Sequence, residues 1–325
     1  MQAKLERHRP LPFIEALAAL LTLALVAVLS PASASPLDAA MDKVFTVRSN
    51  DTEDRFLGSA FVWEGGTVAV TNAHVVGQAE EVRLIDRHGT DITALVIARD
   101  PVRDVAVISL PTASDGLSLA EQAPELGAEV FALGAPLGIE FTLTEGRIST
   151  LARQVDIAVP MLMLQHDAAV NPGSSGGPLV DTKGRLLGMN SQIADGSRMF
   201  VGIAYAIPAS ELTRIVTGLI DETLPPFPAL GLTARPVDRQ VAETLGVAPQ
   251  GLLIDAVAPG SLAETSGLKP GDIITQTAGT TLTAPGDFAF AVEAAIADGT
   301  ATLTVLRAGQ EQTLTLALTA AEPTG

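Results

Sequence analysis

The stretch Asn171–Val180 reads NPGSSGGPLV and places two adjacent serines among three glycines. Prolines stand near both of its ends, so neither a helix nor a central strand runs through it easily. A serine hydroxyl is a weak nucleophile unless a neighbouring base accepts its proton. The stretch therefore predicts a tight loop that presents a reactive hydroxyl, and the base has to be sought among the histidines.

The chain has four histidines. His8 lies in a segment that we expect to be removed, and His88 lies in DRHGTD, a polar turn pattern typical of a solvated loop. His166 follows the apolar run MLMLQ, and a structural hydrogen-bonding role is expected there. His74 ends the apolar run TVAVTNAHVV, where a strand is expected to deliver one polar ring into apolar surroundings. His74 is therefore the candidate base, although a histidine alone in such a place is more often a core residue.

Asp104 opens the apolar strand pattern of DPVRDVAVISL. A buried carboxylate is costly unless it is hydrogen-bonded, and a histidine ring N–H is a suitable donor. Taken alone, Asp104 is better interpreted as a strand-start aspartate that binds nearby backbone amides. With His74 before it and Ser175 after it, the order becomes that of the chymotrypsin-type triad, not that of subtilisin.

Composition excludes several other classes of site. The 325 residues contain no cysteine, which rules out disulfides, thiolate nucleophiles and cysteine–zinc sites. The formal net charge of −17 disfavours nucleic acid and anionic membranes as partners. With 47% apolar and 18% charged residues the chain is globular. No metal and no cofactor is expected.

The N-terminus has the order of a secretory signal peptide. Basic residues are followed by the apolar run ALAALLTLALVAVL, and Ala32-Ser33-Ala34 has the small-residue pattern of a cleavage site. We expect residues 1–34 to be a signal peptide and the exported chain to start near Ser35. A retained membrane anchor is the alternative, although the apolar run is shorter than a typical membrane-spanning helix.

Two shifts in pattern divide the remaining chain. Residues 35–222 consist mainly of short Val-, Ile- and Leu-rich runs between turn residues, which favours a barrel or sandwich, and helical periodicity is confined to Ser210–Ile220. The proline-rich stretch TLPPFP at residues 223–228 predicts a linker. Residues 229–320 are then a second domain.

Four segments in order resemble the HtrA/Deg family of trypsin-like serine proteases: TNAHVV, RDVAVISL, DAAVNPGSSGGPLV and GIAYAIP. The resemblance implies a mainly β fold, a chymotrypsin-like double barrel of two six-stranded barrels with the triad in the cleft between them. It also implies roles: His74 as general base, Asp104 as the residue that orients it, and Ser175 as nucleophile. Homotrimers are common in the family, so a homotrimer is a candidate assembly.

The glycines of the loop have a physical explanation within this resemblance. A tetrahedral intermediate carries a negative oxygen, and the backbone N–H groups of Gly173 and Ser175 are the expected oxyanion-hole donors. Glycine permits the backbone angles that make two such donors converge. Ser174 stands where the family usually carries asparagine, and a loop-supporting role is expected for it.

The specificity pocket is inferred from the resemblance alone. It implies that Val170 forms part of the pocket base and that Ala204 lies in one wall, where the family pattern GIGFAIP becomes GIAYAIP. Neither residue offers a charge for a lysine or arginine side chain. We therefore expect a narrow pocket that accepts small aliphatic residues.

The second domain resembles a PDZ module, on the segment GLLIDAVAPGSLAETSGLKPGDIITQTAGTTL. Ser261 and Glu264 predict a capping box at a helix start, with Gly267 as its stop. Phe288, Val292 and Ile296 have helical spacing and are expected to pack in the core.

A carboxylate-binding loop is the expected functional part of such a module. Leu230, Gly231 and Leu232 match it best, although small residues after a linker can also simply begin a strand. Backbone amides of this loop would capture a peptide C-terminus that adds as an extra strand.

Two classes of function fit these patterns. The first is an exported, periplasmic or secreted serine endopeptidase that cleaves unfolded or misfolded polypeptides. The alternative is a PDZ-containing chaperone or binding protein with little proteolysis, and activity limited to small esters is a minor third hypothesis.

Overall fold

The protein is described from a computed structural model. It describes residues 34–318 except for residues 52, 137–140, 194–200 and 285. The predicted signal peptide, residues 1–34, lies almost wholly outside the described residues. The chain divides into two compact units, Met1–Ser35 and Pro36–Gly325, and every helix and strand from Pro36 onward belongs to the second. No helix of the described part is both long enough and apolar enough to cross a membrane.

A short helix, α1 (Pro36–Met41), leads into a closed six-stranded antiparallel barrel. Around the barrel the strands follow the order β1-β2-β3-β6-β5-β4, and β1 pairs with β4 to close it. One helical turn, α2 (Ala73–Val76), lies between β3 and β4. The strands are β1 (Val44–Ser49), β2 (Phe56–Val62), β3 (Val68–Thr71), β4 (Glu81–Ile85), β5 (Asp91–Asp100) and β6 (Val105–Ser109).

The second barrel is also closed and six-stranded, in the order β10-β11-β12-β9-β8-β7. Its strands are β7 (Glu129–Gly134), β8 (Thr142–Arg153), β9 (Met163–His166), β10 (Pro178–Val180), β11 (Leu186–Ile193) and β12 (Ala204–Pro208). Closure removes free sheet edges, and short strands such as β3 and β10 are buried along their whole length. The expected double barrel is confirmed.

Helix α3 (Ala209–Ile220) follows the second barrel directly. It buries Leu212, Ile215 and Val216, which lie three and four residues apart and so share one face. That face packs into the same apolar cluster as Val107 of the first barrel. The helix thus matches the one predicted at residues 210–220 and packs against strands of the barrels.

The elements from Leu232 to Ala317 form what we call the C-terminal layer. Its six-stranded sheet has the order β13-β14-β15-β17-β18, with β16 paired to β15, so β13 is an edge strand. The elements are β13 (Leu232–Pro236), α4 (Arg239–Leu245), β14 (Leu252–Val257), α5 (Leu262–Thr265), β15 (Ile273–Thr277), β16 (Thr280–Thr281), α6 (Asp287–Ala294), a 3₁₀ turn (Ile296–Asp298), β17 (Thr300–Arg307) and β18 (Gln310–Ala317).

The predicted cap at the start of α5 forms in modified form. The Glu264 N–H donates to Ser261 Oγ at 3.2 Å, as in a capping box. The Glu264 carboxylate, however, accepts from the Gly260 N–H at 2.6 Å, one residue earlier than the box requires. The helix ends at Thr265, and Gly267 has a φ of +86°, the left-handed angle that suits a helix stop.

The predicted apolar face of the later helix is also present. Phe288 and Val292 of α6 are buried in the core of the C-terminal layer, and Ile296 packs against the same cluster from the 3₁₀ turn. Two residues that precede the sheet, Phe227 and Leu230, are buried in this cluster as well.

The segment between α3 and β13 contacts both sides of the molecule. Leu224 packs against the cluster that contains α3, whereas Phe227 is buried in the core of the C-terminal layer. Val102 and Ile157, from the barrel part of the chain, pack against that second core too. The proline-rich stretch is therefore held by apolar contacts on both sides. The domain boundaries at residues 222/223 and 228/229 stay a prediction.

Candidate active site

His74 lies on α2, the single helical turn that directly follows β3. The ring is therefore presented by a helical turn and not by the strand itself, which differs from the expectation. Its side chain is 51% exposed, while its helix neighbours Ala73, Val75 and Val76 are buried. Burial of the neighbours fixes the backbone and leaves the ring at the surface of a cleft.

Asp104 directly precedes β6 and faces His74. The ring nitrogen His74 Nδ1 lies 2.9 Å from Asp104 Oδ1 and 3.0 Å from Oδ2. The His74 backbone N–H also donates to Asp104 Oδ1, at 3.1 Å. This carboxylate is only 14% exposed. The contact selects the tautomer that carries hydrogen on Nδ1 and leaves Nε2 free to accept a proton.

Two further side chains hold Asp104 in place. The Ser191 hydroxyl donates to Asp104 Oδ2 at 2.7 Å, and Asn72 Nδ2 donates to the Asp104 carbonyl oxygen at 2.9 Å. Asp104 has a φ of +56°, a left-handed angle that non-glycine residues rarely adopt. Such an angle persists where surrounding contacts over-determine it, and it is frequent at functional sites.

The pKa of His74 reflects two opposing effects. Burial of the ring lowers the pKa, whereas the hydrogen bond and the negative charge of Asp104 raise it. The balance places the pKa of His74 above its ordinary value of 6.5. The ring is thus a stronger base than free imidazole, which suits a residue that must accept a hydroxyl proton.

The glycine loop places Ser175 beside the first barrel. Gly173 and Gly176 have φ values of +105° and +83°, and a Cβ at either position would collide with neighbouring backbone. The Ser59 N–H donates to the Ser175 carbonyl at 2.9 Å, and Ser59 Oγ donates to the Gly173 carbonyl at 2.7 Å. The loop therefore requires glycine at these positions and is fixed from the opposite barrel.

Ser175 Oγ donates to the backbone carbonyl of Ser191 at 3.1 Å. Among the described contacts, no hydrogen bond joins this hydroxyl to His74. Since a serine side chain turns about a single bond, the hydroxyl can exchange one acceptor for another without backbone movement. The site holds His74 and Asp104 in contact, and Ser191 links Ser175 to them, since its carbonyl accepts from Ser175 Oγ and its hydroxyl donates to Asp104 Oδ2.

Ser174 has a different environment. It is only 5% exposed, and its Oγ accepts from the Asn171 N–H at 3.2 Å while its own N–H donates to the Asn171 carbonyl at 2.8 Å. These contacts close the turn just before Ser175. They are those of a residue that supports the loop.

Two clefts meet at His74. One has a volume of about 700 Å³ and extends over α2 towards Asp51 and Glu80. The other, of about 400 Å³, contains Asp104 and Ser191 and has walls of Val102, Val155, Val159, Met161 and Met163. A polypeptide can therefore approach the histidine from either side.

Val170 and Ala204, the residues expected in the specificity pocket, are both buried in the core of the second barrel. Neither lines the two clefts at His74. Residues 194–200, between β11 and β12, lie outside the described residues. The role of Val170 and Ala204 in a specificity pocket stays a prediction.

Comparison with known proteins agrees with this geometry. Residues 58–189 match the trypsin-like peptidase domain. A probable periplasmic serine endoprotease DegP-like from Marinomonas sp. (strain MWYL1) is 34% identical over 271 residues, which are 81% of this chain and 57% of the relative. One from Rhizobium meliloti (strain 1021) is 32% identical over 84% of this chain and 58% of the relative. This chain thus spans less than two thirds of the length of these curated relatives.

Solved structures point the same way. The HtrA-type protease AlgW with decapeptide superposes with a TM-score of 0.65 at 26% identity, covering 89% of this chain and 99% of that one. The serine endoprotease from Yersinia pestis superposes with a TM-score of 0.63 at 26% identity, covering 90% and 100%.

The chain is thus similar to HtrA-type serine proteases and contains a trypsin-like peptidase domain.

Three polar residues contact the site residues although sequence reasoning did not assign them to the triad. They are Ser59, Asn72 and Ser191, through the contacts given above. Asn72 lies two residues before His74 in TNAHVV, so its closeness in sequence to the candidate base could have identified it. Ser59 and Ser191 carry no local pattern, because their partners are distant in sequence.

Within the described part of the chain, no group of three or more His, Cys, Asp or Glu side chains is arranged to hold a metal ion. The candidate carboxylate loop of the C-terminal layer is a separate feature. Leu230 is buried in the layer core, Gly231 has a φ of +70°, and Leu232 begins the edge strand β13. A Cβ on Gly231 would collide with Ser261, so this position requires glycine for steric reasons as well.

His166 does not have the hydrogen-bonding role expected for it. The ring is fully buried at the end of β9, and neither ring nitrogen has a hydrogen-bond partner among the described residues. Loss of water around the ring lowers its pKa to about 4, although the nearby Asn190 amide and the Asp167 charge act in the opposite direction. His166 is therefore neutral in the folded protein at neutral pH.

We expect His166 to destabilise the fold in acid. Its pKa in the folded state lies below the unfolded value of 6.5, so the unfolded chain binds the proton more tightly. The resulting loss of unfolding free energy begins near pH 6.5 and approaches about 3 kcal/mol at pH 4. Urea unfolding at several pH values gives the unfolding free energy of wild type and of His166→Gln. The way in which their difference changes with pH measures the contribution of His166. His88→Gln, at a solvent-exposed histidine, is the matched control, and equal pH slopes for wild type and His166→Gln would contradict the expectation.

Proposed function

We propose that this chain is an exported serine endopeptidase that cleaves unfolded or misfolded polypeptides. The observation that carries the proposal is the bidentate contact of the Asp104 carboxylate with His74 Nδ1, beside a glycine loop that presents Ser175. The trypsin-like peptidase domain and the names of the relatives support the same chemistry.

The proposed reaction begins when Ser175 Oγ leaves the Ser191 carbonyl and turns to His74 Nε2. His74 accepts the hydroxyl proton while the oxygen attacks the carbonyl carbon of the scissile bond. The Asp104 charge stabilises the imidazolium that forms. His74 then returns the proton to the leaving amine, which leaves an acyl group on Ser175 that water removes by the same route.

The developing oxyanion needs donors that are already in place. The backbone N–H groups of Gly173 and Ser175 are the proposed donors. Anchoring of their loop by Ser59 supports this role, because donors held in advance require no reorganisation during the reaction. Ser174 would contribute indirectly, through its contacts with Asn171.

A periplasmic location is proposed for the enzyme. Two features support it: the signal-peptide pattern of residues 1–34 and the periplasmic location in the names of the relatives. A retained N-terminal anchor would place the same catalytic part on the same side of the membrane.

Mapping of cut sites tests the proposed function. A denatured, cysteine-free protein is digested and its new termini are identified by mass spectrometry, with Ser175→Ala digested in parallel. We expect cuts after small aliphatic residues such as Ala and Val, because Val170 and Ala204 would leave a narrow, uncharged pocket. Predominant cutting after Arg, Lys or Phe would contradict the pocket assignment. Binding of the denatured protein without any cleavage would instead favour the chaperone alternative.

The C-terminal layer is proposed to bind peptide C-termini as a PDZ module does. Among the described strands, β13 pairs with β14 alone, and its other edge supports addition of an extended peptide. Leu230, Gly231 and Leu232, at the start of that strand, would supply the amides for the terminal carboxylate. Such binding would tether a substrate near Ser175.

Tethering has a specific kinetic signature. It speeds cleavage of a substrate that carries an apolar C-terminus and leaves a small untagged reporter unaffected by added free peptide. Acceleration of the untagged reporter by the peptide would show a population shift instead. Failure of the peptide to bind the full chain at all, measured by fluorescence anisotropy, would remove the proposed peptide site.

A further inference from the structure

Arg103, the residue directly before Asp104, is fully buried. A guanidinium group keeps its charge at physiological pH and is costly to remove from water unless its donors are paired. Its partners therefore decide whether the backbone at Arg103 can hold a defined position.

These partners come from three separate parts of the chain. Arg103 Nη1 binds the carboxylate of Asp100 at the end of β5, and the Arg103 N–H donates to the same carboxylate at 2.9 Å. On its other side the guanidinium binds Glu293 of α6 through both Nη2 and Nε, the latter at 3.2 Å. The Phe227 ring lies under it, with the guanidinium carbon 5.5 Å from the ring centroid.

Glu293 is itself held by the barrel part of the chain. Its carboxylate is 18% exposed, and its Oε1 also accepts from Arg214 of α3 at 3.0 Å. Arg214 is in turn paired with Glu211 one helical turn earlier, at 2.8 Å. A carboxylate of the C-terminal layer thus joins two arginines of the barrel part.

The backbone around Arg103 leads directly into the triad. Asp100 and Val105 are paired across β5 and β6, so Arg103 and Asp104 close a short turn between these strands. Asp104 has the left-handed φ of +56°, which requires support from its surroundings. Asn72 holds the Asp104 carbonyl on one side, and the anchored Arg103 peptide precedes it on the other.

We propose that Arg103 is a positioning residue for Asp104, and that Glu293 of the C-terminal layer holds Arg103 in that role. The C-terminal layer then supports the geometry of the triad as well as contacting substrate. The inference rests on the proposed function, because it assigns a consequence for catalysis.

Loss of the Glu293 charge would affect Asp104 through the electrostatics of Arg103 and through movement of the turn. With Glu293 neutralised, the buried guanidinium loses one of its two carboxylates and must find another partner or move towards water. Either movement twists the turn that ends in Asp104. The carboxylate then drifts from His74 Nδ1, and small misplacements of catalytic groups reduce turnover steeply.

The test compares Glu293→Gln with Glu211→Gln in the full chain. Both carboxylates pair with Arg214, but only Glu293 contacts Arg103. On a small peptide reporter, we expect Glu293→Gln to lower kcat by about tenfold to a hundredfold with little change in KM. We expect Glu211→Gln to stay within about twofold of wild type, because it leaves the Arg103 contacts intact.

A second readout separates positioning from stability. The Asp104 contact raises the pKa of His74, so misplacement of the carboxylate lowers this pKa in Glu293→Gln. Titration of the His74 ring by ¹H–¹⁵N NMR measures it without turnover, so the result stands even if the chain proves not to be a protease. A reduced melting temperature together with an unchanged His74 titration and unchanged kcat would overturn the proposal.

The pairing can be examined further with Arg103→Met, which removes the charge but keeps an apolar stem. If Glu293 acts through Arg103, the double variant Arg103→Met/Glu293→Gln should be no slower than Arg103→Met alone. Additive losses in kcat would show that the two residues act independently and would contradict the proposal. If Arg103→Met does not fold, the Glu293→Gln and Glu211→Gln comparison decides by itself.

Discussion

Replacement of Ser175 by alanine is expected to abolish peptide-bond cleavage, while Ser174→Ala retains most of it. Loss of the nucleophile of a triad costs about a millionfold in kcat in other serine proteases. Ser174 contributes hydrogen bonds to the turn at Asn171, so its loss should affect stability more than chemistry. The measurement is the initial rate on one peptide reporter for both variants, with melting temperatures recorded alongside.

Each variant is the control for the other, because both replace a serine by alanine and the two serines are adjacent in one loop. A phosphonylating inhibitor provides an independent check, since a mass increase on the Ser175 peptide of wild type identifies the activated hydroxyl. If Ser174→Ala were the inactive variant and Ser175→Ala the active one, the nucleophile assignment would be wrong.

Asp104→Asn is expected to reduce kcat by roughly ten-thousandfold, by comparison with the same change in other triads. Asparagine keeps the shape but offers its amide to the ring, which disturbs the tautomer that leaves Nε2 free to accept a proton. In the wild type, kcat/KM should rise with pH through the raised pKa of His74, so half of the maximum is reached above pH 6.5.

The pH profile of the residual activity is the more specific readout for Asp104. Removing the carboxylate removes the two effects that raise the pKa of His74, so the acidic limb should move to lower pH. Asp115→Asn, at an exposed residue, is the control for a simple loss of surface charge.

The kcat of Ser191→Ala should lie between those of Asp104→Asn and Asp115→Asn. This change removes one hydrogen-bond donor from the Asp104 carboxylate and leaves the carboxylate charge in place. An unchanged acidic limb in Asp104→Asn would contradict the proposed electrostatic role.

Much of the architecture was predictable because its causes are local. Short apolar runs separated by turn residues favoured buried strands, and the two closed barrels contain such strands. The three-residue spacing of Leu212 and Ile215 required a helix with one apolar side. Ser175 was distinguished from Ser174 by its position before Gly-Gly-Pro, which is itself a local pattern.

The amino-acid sequence by itself determined the strand pattern, the order of His74, Asp104 and Ser175, and the need for glycine around Ser175. Only the tertiary structure decided what supports them. The Ser191–Asp104 hydrogen bond spans 87 positions, the Ser59–Gly173 bond 114 and the Arg103–Glu293 pair 190. A hydroxyl or a guanidinium has no periodic signature, and its partner is chosen when distant segments pack together. For the same physical reason His166 could be found in the sequence, while its burial without a hydrogen-bond partner became visible only in the folded barrel.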